Sequence, residues 1–314
     1  MLRMLLFILL VLVAATPAAA QTPSAPAAAE PTVVEVREEG LVARLFVPQG
    51  LKGRTAAVIT LGGSEGGIGG ADRMARRLAA QGYVAFAVSY FGEAGQPKDL
   101  VELPLETFDR ALDWLLARPE VDRARIGVIG GSKGAEAALL FASRRPEIRA
   151  VVAGVPTHVV WQGILPSDFS LVKGSWTVGG KPIPFVPYKP GPWTGRIRDL
   201  YDRSMPAPGT EGEALIPVER IRGDVMLVSG GQDALWSSSL MSLRIAQRLE
   251  ASGFRFRVER LDYPDAGHGV LGGPVTAEQA AQLARFGGTA EANMAARADA
   301  WPKILAFLDR SLRH

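Results

Sequence analysis

"RIGVIGGSKGAEAALLFASR", Arg125 to Arg144, decides the fold. A continuous apolar run of buried-strand type leads into Gly-x-Ser-x-Gly, and an alanine-rich stretch of good helix formers leads out. Strand, sharp turn and helix in that order are the setting of a nucleophile elbow. The turn exposes Ser132, and the helix N-terminus aims N–H groups and positive potential at an oxyanion. A second Gly-x-Ser-x-Gly, "GGSEG" at Gly62–Gly66, lacks that setting. It follows the strand "TAAVITL", but a glycine-rich loop delays the next helix by about seven residues. With 35 glycines in the chain the pattern alone is weak, and its context separates Ser132 from Ser64.

Working outward, strand and helix patterns alternate. "TVVEV" and "LVARLFVP" read as a hairpin turning at Glu39-Gly40, followed by "TAAVITL", "YVAFAVSY", "ARIGVIG", "RAVVAGVP", "DVMLVSG" and "FRVERLDYP". Helices are expected over Ala71–Gln81, Leu105–Leu116, Ser132–Arg145 and Glu291–Leu312. The pattern predicts an α/β-hydrolase fold: a mostly parallel eight-stranded sheet with helices on both faces. Its rhythm breaks over roughly 65 residues, His158–Gly223, rich in Pro, Gly and aromatics. This insertion is expected to form a cap over the site.

In this fold the serine follows the fifth strand, as Ser132 does, and the loop after the third strand supplies an oxyanion N–H. "LGGSEGG" is that loop. The expected oxyanion donors are the backbone N–H groups of Gly63 or Ser64, paired with that of Lys133, whose side chain is expected to face solvent. The chain order Ser, Asp, His then calls for a late histidine and an acid after the seventh strand. His268 in "YPDAGHG" is the base and Asp233 in "VSGGQDALW" the acid. His158 is expected to line the cap or pocket, His314 is terminal, and Asp262 and Asp265 are rivals that turn formation explains. Tyr90, Trp161 and Trp236 fall near strand ends and are candidates for the substrate pocket, core packing being the alternative for each.

The N-terminus, "MLRMLLFILLVLVAATPAAAQ", reads as a signal peptide over residues 1–20. Its apolar run is too short for the roughly 20 residues of a membrane span, so no stable membrane insertion is expected after cleavage. A Pro/Ala-rich leader, 21–32, precedes a hydrolase domain over 33–314 that holds the insertion at 158–223. An exported protein, periplasmic or secreted, is the expectation. The chain has no cysteine, which excludes disulfides, thiolate metal sites and a cysteine nucleophile. A net charge of +3 gives no reason to expect nucleic acid. No metal or other cofactor is called for, and the expected partner is a small-molecule acyl ester or thioester.

"LGGSEGG", "SYFGEAGQPK", "GGSKGAEAALLFASRRPEIRAVVAGVPTHVVWQG", "IPVER", "YPDAGHG" and "FGGTAEANMAARADAW" together resemble the acyl-CoA thioesterase / bile acid-CoA:amino acid N-acyltransferase C-terminal family. The resemblance runs from about Val33 to Leu312. It implies attack on acyl thioesters through a Ser or Cys, Asp, His triad, which falls on Ser132, Asp233 and His268. It also implies an alternative, acyl transfer to an amine or alcohol, although the transferase members use cysteine. The family's full-length thioesterases carry an N-terminal β-sandwich domain, which is not expected here, where only the dozen or so residues of 21–32 are read between the signal and the first strand. That, the export signal and the lack of a Lys/Arg cluster in the linear sequence lead to a further expectation. An ester or other non-CoA acyl compound is expected to be turned over better than long-chain acyl-CoA.

Overall fold

A computed structural model describes residues 30–38, 40–168 and 171–313. The expected signal peptide, nearly all of the leader, Glu39 of the expected hairpin turn, and His314 lie outside the described residues. Eight strands form the main sheet: β1 (Thr32–Glu38), β2 (Leu41–Val47), β3 (Thr55–Leu61), β4 (Val84–Ser89), β5 (Val121–Gly131), β6 (Ile148–Gly154), β7 (Asp224–Gly230) and β8 (Val258–Tyr263). Their spatial order is β1-β2-β4-β3-β5-β6-β7-β8. β2 runs antiparallel to both neighbours and every other pairing is parallel, so the sheet is mixed but mostly parallel as expected. β1 at the edge buries only Val36, whereas β4 is buried at every position, as a central strand covered on both faces must be.

The helices divide between the faces. α1 (Gly69–Ala79) and the later α7 (Ala290–Leu312) cover one face through Ala75, Leu78, Ile304 and Phe307. On the other lie α2 (Glu106–Leu116), α3 (Lys133–Arg144) and α5 (Ser238–Ala251), through Phe108, Leu112, Leu139, Ile245 and Leu249. α1 starts and stops two residues earlier than expected. Its last turn gives way to Gly82 at φ 82°, whose N–H closes onto Ala79 O at 2.9 Å.

The insertion is woven onto the domain at several places. Within it, Trp176–Val178 pairs in parallel with Leu103–Pro104 and antiparallel with Lys181–Pro182, making a small three-stranded sheet beside α2 and α3. Its helix α4 (Ile197–Ser204) docks on the loop after β7: Arg198 Nη1 donates to Asp233 O at 2.7 Å, and Ser237 Oγ to Asp202 at 2.7 Å. Val159, Trp161, Val186 and Tyr201 of the insertion form one apolar cluster with Trp236 and Met241. A last short helix, α6 (Ala277–Leu283), is fixed by a capping box at Thr276 and Gln279.

Candidate active site

Ser132 sits between β5 and α3 at φ 57°, ψ −124°. A non-glycine residue there stores about 1–3 kcal/mol of strain, held by its surroundings. Its N–H donates to Gly154 O at 3.0 Å. The flanking glycines are required by close backbone approach. A Cβ at Gly130 would lie 2.1 Å from Gly134 O, and one at Gly134 would lie 2.2 Å from Gly62 O. No side chain fits either gap, so the elbow and the loop after β3 press directly together.

That loop carries the other Gly-x-Ser-x-Gly. A Cβ at Gly63 would be 3.3 Å from Ser132 Cβ, so Gly63 lies against the elbow, while Ser64 is exposed. α1 begins at Gly69, five positions after Ser64 rather than about seven. Lys133 opens α3, and the first N–H groups of a helix have no intrahelical acceptor. Gly63 and Lys133 therefore flank Ser132 from two directions.

Tyr90 holds the loop from beneath. It is buried, and its hydroxyl donates to Gly62 O at 2.7 Å and Gly63 O at 3.1 Å. Burial, and then the charges of Glu65 and Glu136, raise its pKa well above the ordinary phenol value, so it stays a donor. Tyr90→Phe is expected to lower kcat about two- to tenfold, the worth of one such hydrogen bond, with KM little changed. Steady-state kinetics on a soluble ester would check this.

Asp233 lies just beyond β7 and is 2% exposed. Its Oδ1 accepts from Leu235 N at 2.9 Å and Trp236 N at 3.2 Å. His268 Nδ1 stands 2.9 and 2.8 Å from its two oxygens. A carboxylate only accepts, so Nδ1 carries a proton, and in the neutral ring that tautomer leaves the lone pair on Nε2. Nε2 is buried and hydrogen-bonds to no described group. Contacts of a base with its serine often close only once substrate is bound. Leu271, three residues past His268, packs against Gly131 and Gly154, which sets the histidine loop over the elbow.

Two residues that sequence reasoning missed brace this loop. Asn293 of α7 is fully buried; its Oδ1 accepts from Gly267 N at 2.8 Å and its Nδ2 donates to Gly287 O at 3.0 Å. Gly287 in turn pairs with Asp233, so one amide ties the loop of Asp233 to the loop of His268. Arg297 Nη1 donates to Gly269 O at 2.8 Å. The only sequence signal was the quoted motif "FGGTAEANMAARADAW", which carried no assigned role.

The remaining candidates have other surroundings. His158 is buried with Nε2 at 3.0 Å from Arg244 Nη1; burial, then Arg244, lowers its pKa to about 4. Asp262 accepts from Ser229 and Ser239 and pairs with Arg260, while Asp265 is exposed. Trp161 is fully buried with Nε1 donating to Thr157 Oγ1 at 2.9 Å. Trp236 donates to Val155 O and lies edge-on to the His268 ring, centroids 5.4 Å apart. Among the described residues no cluster of His, Asp and Glu could hold a metal, and no helix is long and apolar enough to cross a membrane.

Lys133 departs from expectation. Its side chain does not face solvent: it is 1% exposed, with Nζ 2.7 Å from both Glu136 Oε1 and Ser175 Oγ. Trp176 Nε1 adds a third bond, 2.7 Å to Glu136 Oε1. Burial lowers the lysine pKa and raises the glutamate's, and the pairing opposes both shifts. Ser175 and Trp176 belong to the insertion, so the pair locks it to the helix behind Ser132. Glu136→Ala is expected to cost about 3–5 kcal/mol of unfolding free energy by stranding a buried ammonium. Adding Lys133→Met should recover much of that loss in denaturant melts, because no unpaired charge then remains.

The family model for the BAAT / acyl-CoA thioester hydrolase C terminal matches residues 103–314, and that for the dienelactone hydrolase family matches residues 42–160. Acyl-coenzyme A thioesterase 3 of Mus musculus is 28% identical over 302 residues, 89% of this chain and 63% of that protein. Acyl-coenzyme A amino acid N-acyltransferase 2 of Rattus norvegicus is 29% identical over 294 residues, 88% of this chain and 65% of that one. The chain thus spans less than two-thirds of the length of these relatives. Among solved structures, a dienelactone hydrolase-like promiscuous phosphotriesterase from metagenomic libraries superposes with a TM-score of 0.57 at 16% identity, covering 90% of this chain and 99% of its own. A puromycin-hydrolyzing peptidase of Mycobacterium tuberculosis gives 0.58 at 15% identity, over 90% of this chain and 39% of its own. Both likenesses are of fold. With well over half of its residues matched, the chain belongs to the BAAT / acyl-CoA thioester hydrolase C-terminal family and has the α/β-hydrolase fold.

Proposed function

We propose that this protein is a serine hydrolase that cleaves acyl esters or thioesters through an acyl-enzyme intermediate. The observation that carries the reading is His268 Nδ1 held against both oxygens of the buried Asp233, together with a serine at positive φ on a strand–helix elbow. In this reading Ser132 Oγ attacks the acyl carbon while His268 Nε2 takes its proton. The oxyanion is held by the N–H of Lys133 and that of Gly63 or Ser64, the close approach of Gly63 to the elbow favouring Gly63. His268 then protonates the leaving group. Water, deprotonated by the same nitrogen, releases the acid and restores the serine.

Relatives named as acyl-CoA thioesterases and as an N-acyltransferase support the acyl class, and the serine at the elbow favours water as acceptor. The N-terminal sequence supports export, with the reaction taking place outside the cytoplasm. The test is product analysis on p-nitrophenyl esters and acyl-CoAs of graded chain length, with and without glycine as acceptor. Free acid in equal yield under both conditions is expected. An acylated amine as main product would overturn hydrolysis in favour of transfer.

A further inference from the structure

Three arginines that no step above requires as cations gather beside the loop after His268. Arg73 and Arg77 are four residues apart on α1, hence on one side of that helix. Arg297 comes from α7, near the other end of the chain. Arg297 Nε donates to Gly273 O at 2.9 Å, and its Nη1 reaches Leu271 O at 2.5 Å as well as Gly269 O. Arg77 Nη2 donates to Pro274 O at 3.1 Å. The two guanidinium groups stand against successive glycines: a Cβ would come 2.4 Å from Arg297 Nη2 at Gly272 and 2.2 Å from Arg77 Nη1 at Gly273. Arg73 Nη1 lies toward Gly69, at the start of α1.

Backbone carbonyls accept from Arg77 and Arg297 but leave their charge uncompensated. Among the described residues none of the three arginines forms an ion pair with a carboxylate, whereas Arg76 on the same helix is paired with Asp72 at 2.8 Å. Burial, followed by the fields of Arg77 and Arg73, lowers the Arg297 pKa to about 10, so it remains a cation at neutral pH. Arg297 is partly buried and Arg73 exposed, which lets an anion approach from solvent. The linear sequence shows no such cluster because its members lie on the first helix, α1, and the last, α7.

Like charges gathered without a counter-ion are stabilised by an oxyanion, and guanidinium forks match phosphate oxygens in pairs. We propose that Arg73, Arg77 and Arg297 form a binding site for a phosphate-class oxyanion, either free phosphate or a phosphoryl group carried on a substrate's leaving group. The carried form rests on the acyl-hydrolase reading; the free form does not. The loop between Gly269 and Pro274 joins this site to the elbow, since Leu271 within it packs against Gly131, the residue before Ser132.

Calorimetric titration with inorganic phosphate and with pyrophosphate, at ionic strength matched with chloride, tests the site. Wild-type protein should bind one anion, and Arg73→Gln/Arg77→Gln should bind at least about tenfold more weakly. Both residues lie toward the surface, so the double variant tests the site even if Arg297 substitutions unfold the loop. No binding by wild-type protein beyond the chloride control, or equal binding by the variant, would overturn the proposal. KM for an acyl-CoA and for the matching acyl-pantetheine thioester, which lacks the phosphates beyond pantetheine, separates the two sources. A rise confined to the CoA thioester identifies a carried phosphoryl group, and no rise with either, alongside lost phosphate binding, identifies a free ion. An equal rise for both thioesters would contradict the site, because it would reflect a displaced His268 loop. Phosphate binding by a protein that hydrolyses no acyl substrate would sink the hydrolase reading while leaving the site intact.

Discussion

Ser132→Ala is expected to lower kcat by about four to six powers of ten, the usual cost of losing a triad nucleophile. Ser64→Ala should cost little. The two serines share a five-residue pattern but differ in backbone. Ser132 is held at φ 57° between β5 and α3, and Gly134 lets the helix close on the loop after β3. Ser64 is exposed, and its side chain is given no part in the chemistry. Rates for both variants on one p-nitrophenyl ester would decide the matter. A dead Ser64 variant with an active Ser132 variant would reverse the two assignments.

Asp233→Asn is expected to reduce kcat by about 10⁴-fold while leaving the fold intact. The amide oxygen can still accept from Leu235 and Trp236 N–H. What it cannot do is accept from Nδ1 with both oxygens, so His268 loses the tautomer that leaves Nε2 free to take a proton. Near-wild-type turnover in this variant, with an unchanged melting temperature, would shift the acid's role elsewhere. Asp262 is already engaged with Ser229, Ser239 and Arg260, and Asp265 is exposed, so neither offers a ready replacement.

What the sequence disclosed depended on how local each signal was. The elbow was legible because strand, turn and helix are contiguous there, and β3 to β7 were legible because each carries a mostly apolar run where the sheet is covered on both faces. Asp233 and His268 followed from chain order. α5 left a trace in Met241, Ile245 and Leu249, spaced four apart on one buried side, but was overlooked among serines. The insertion resisted reading because its strands are two or three residues long and owe their existence to partners such as Leu103. Lys133 misled because a lysine's burial depends on a distant Ser175 and on Glu136 one turn away. Asn293, Arg297 and the arginine cluster join positions far apart in the chain, and only folding brings them together.

The central claim is that Ser132 is the nucleophile of an acyl-enzyme. Labelling with a fluorophosphonate probe, followed by peptide mapping, tests it most directly, because such probes phosphonylate a serine only where a base and oxyanion donors activate it. One label per chain, on the peptide bearing Ser132 and absent after Asp233→Asn or His268→Ala, is the expected result. A label on Ser64, or none on the folded protein, would contradict it.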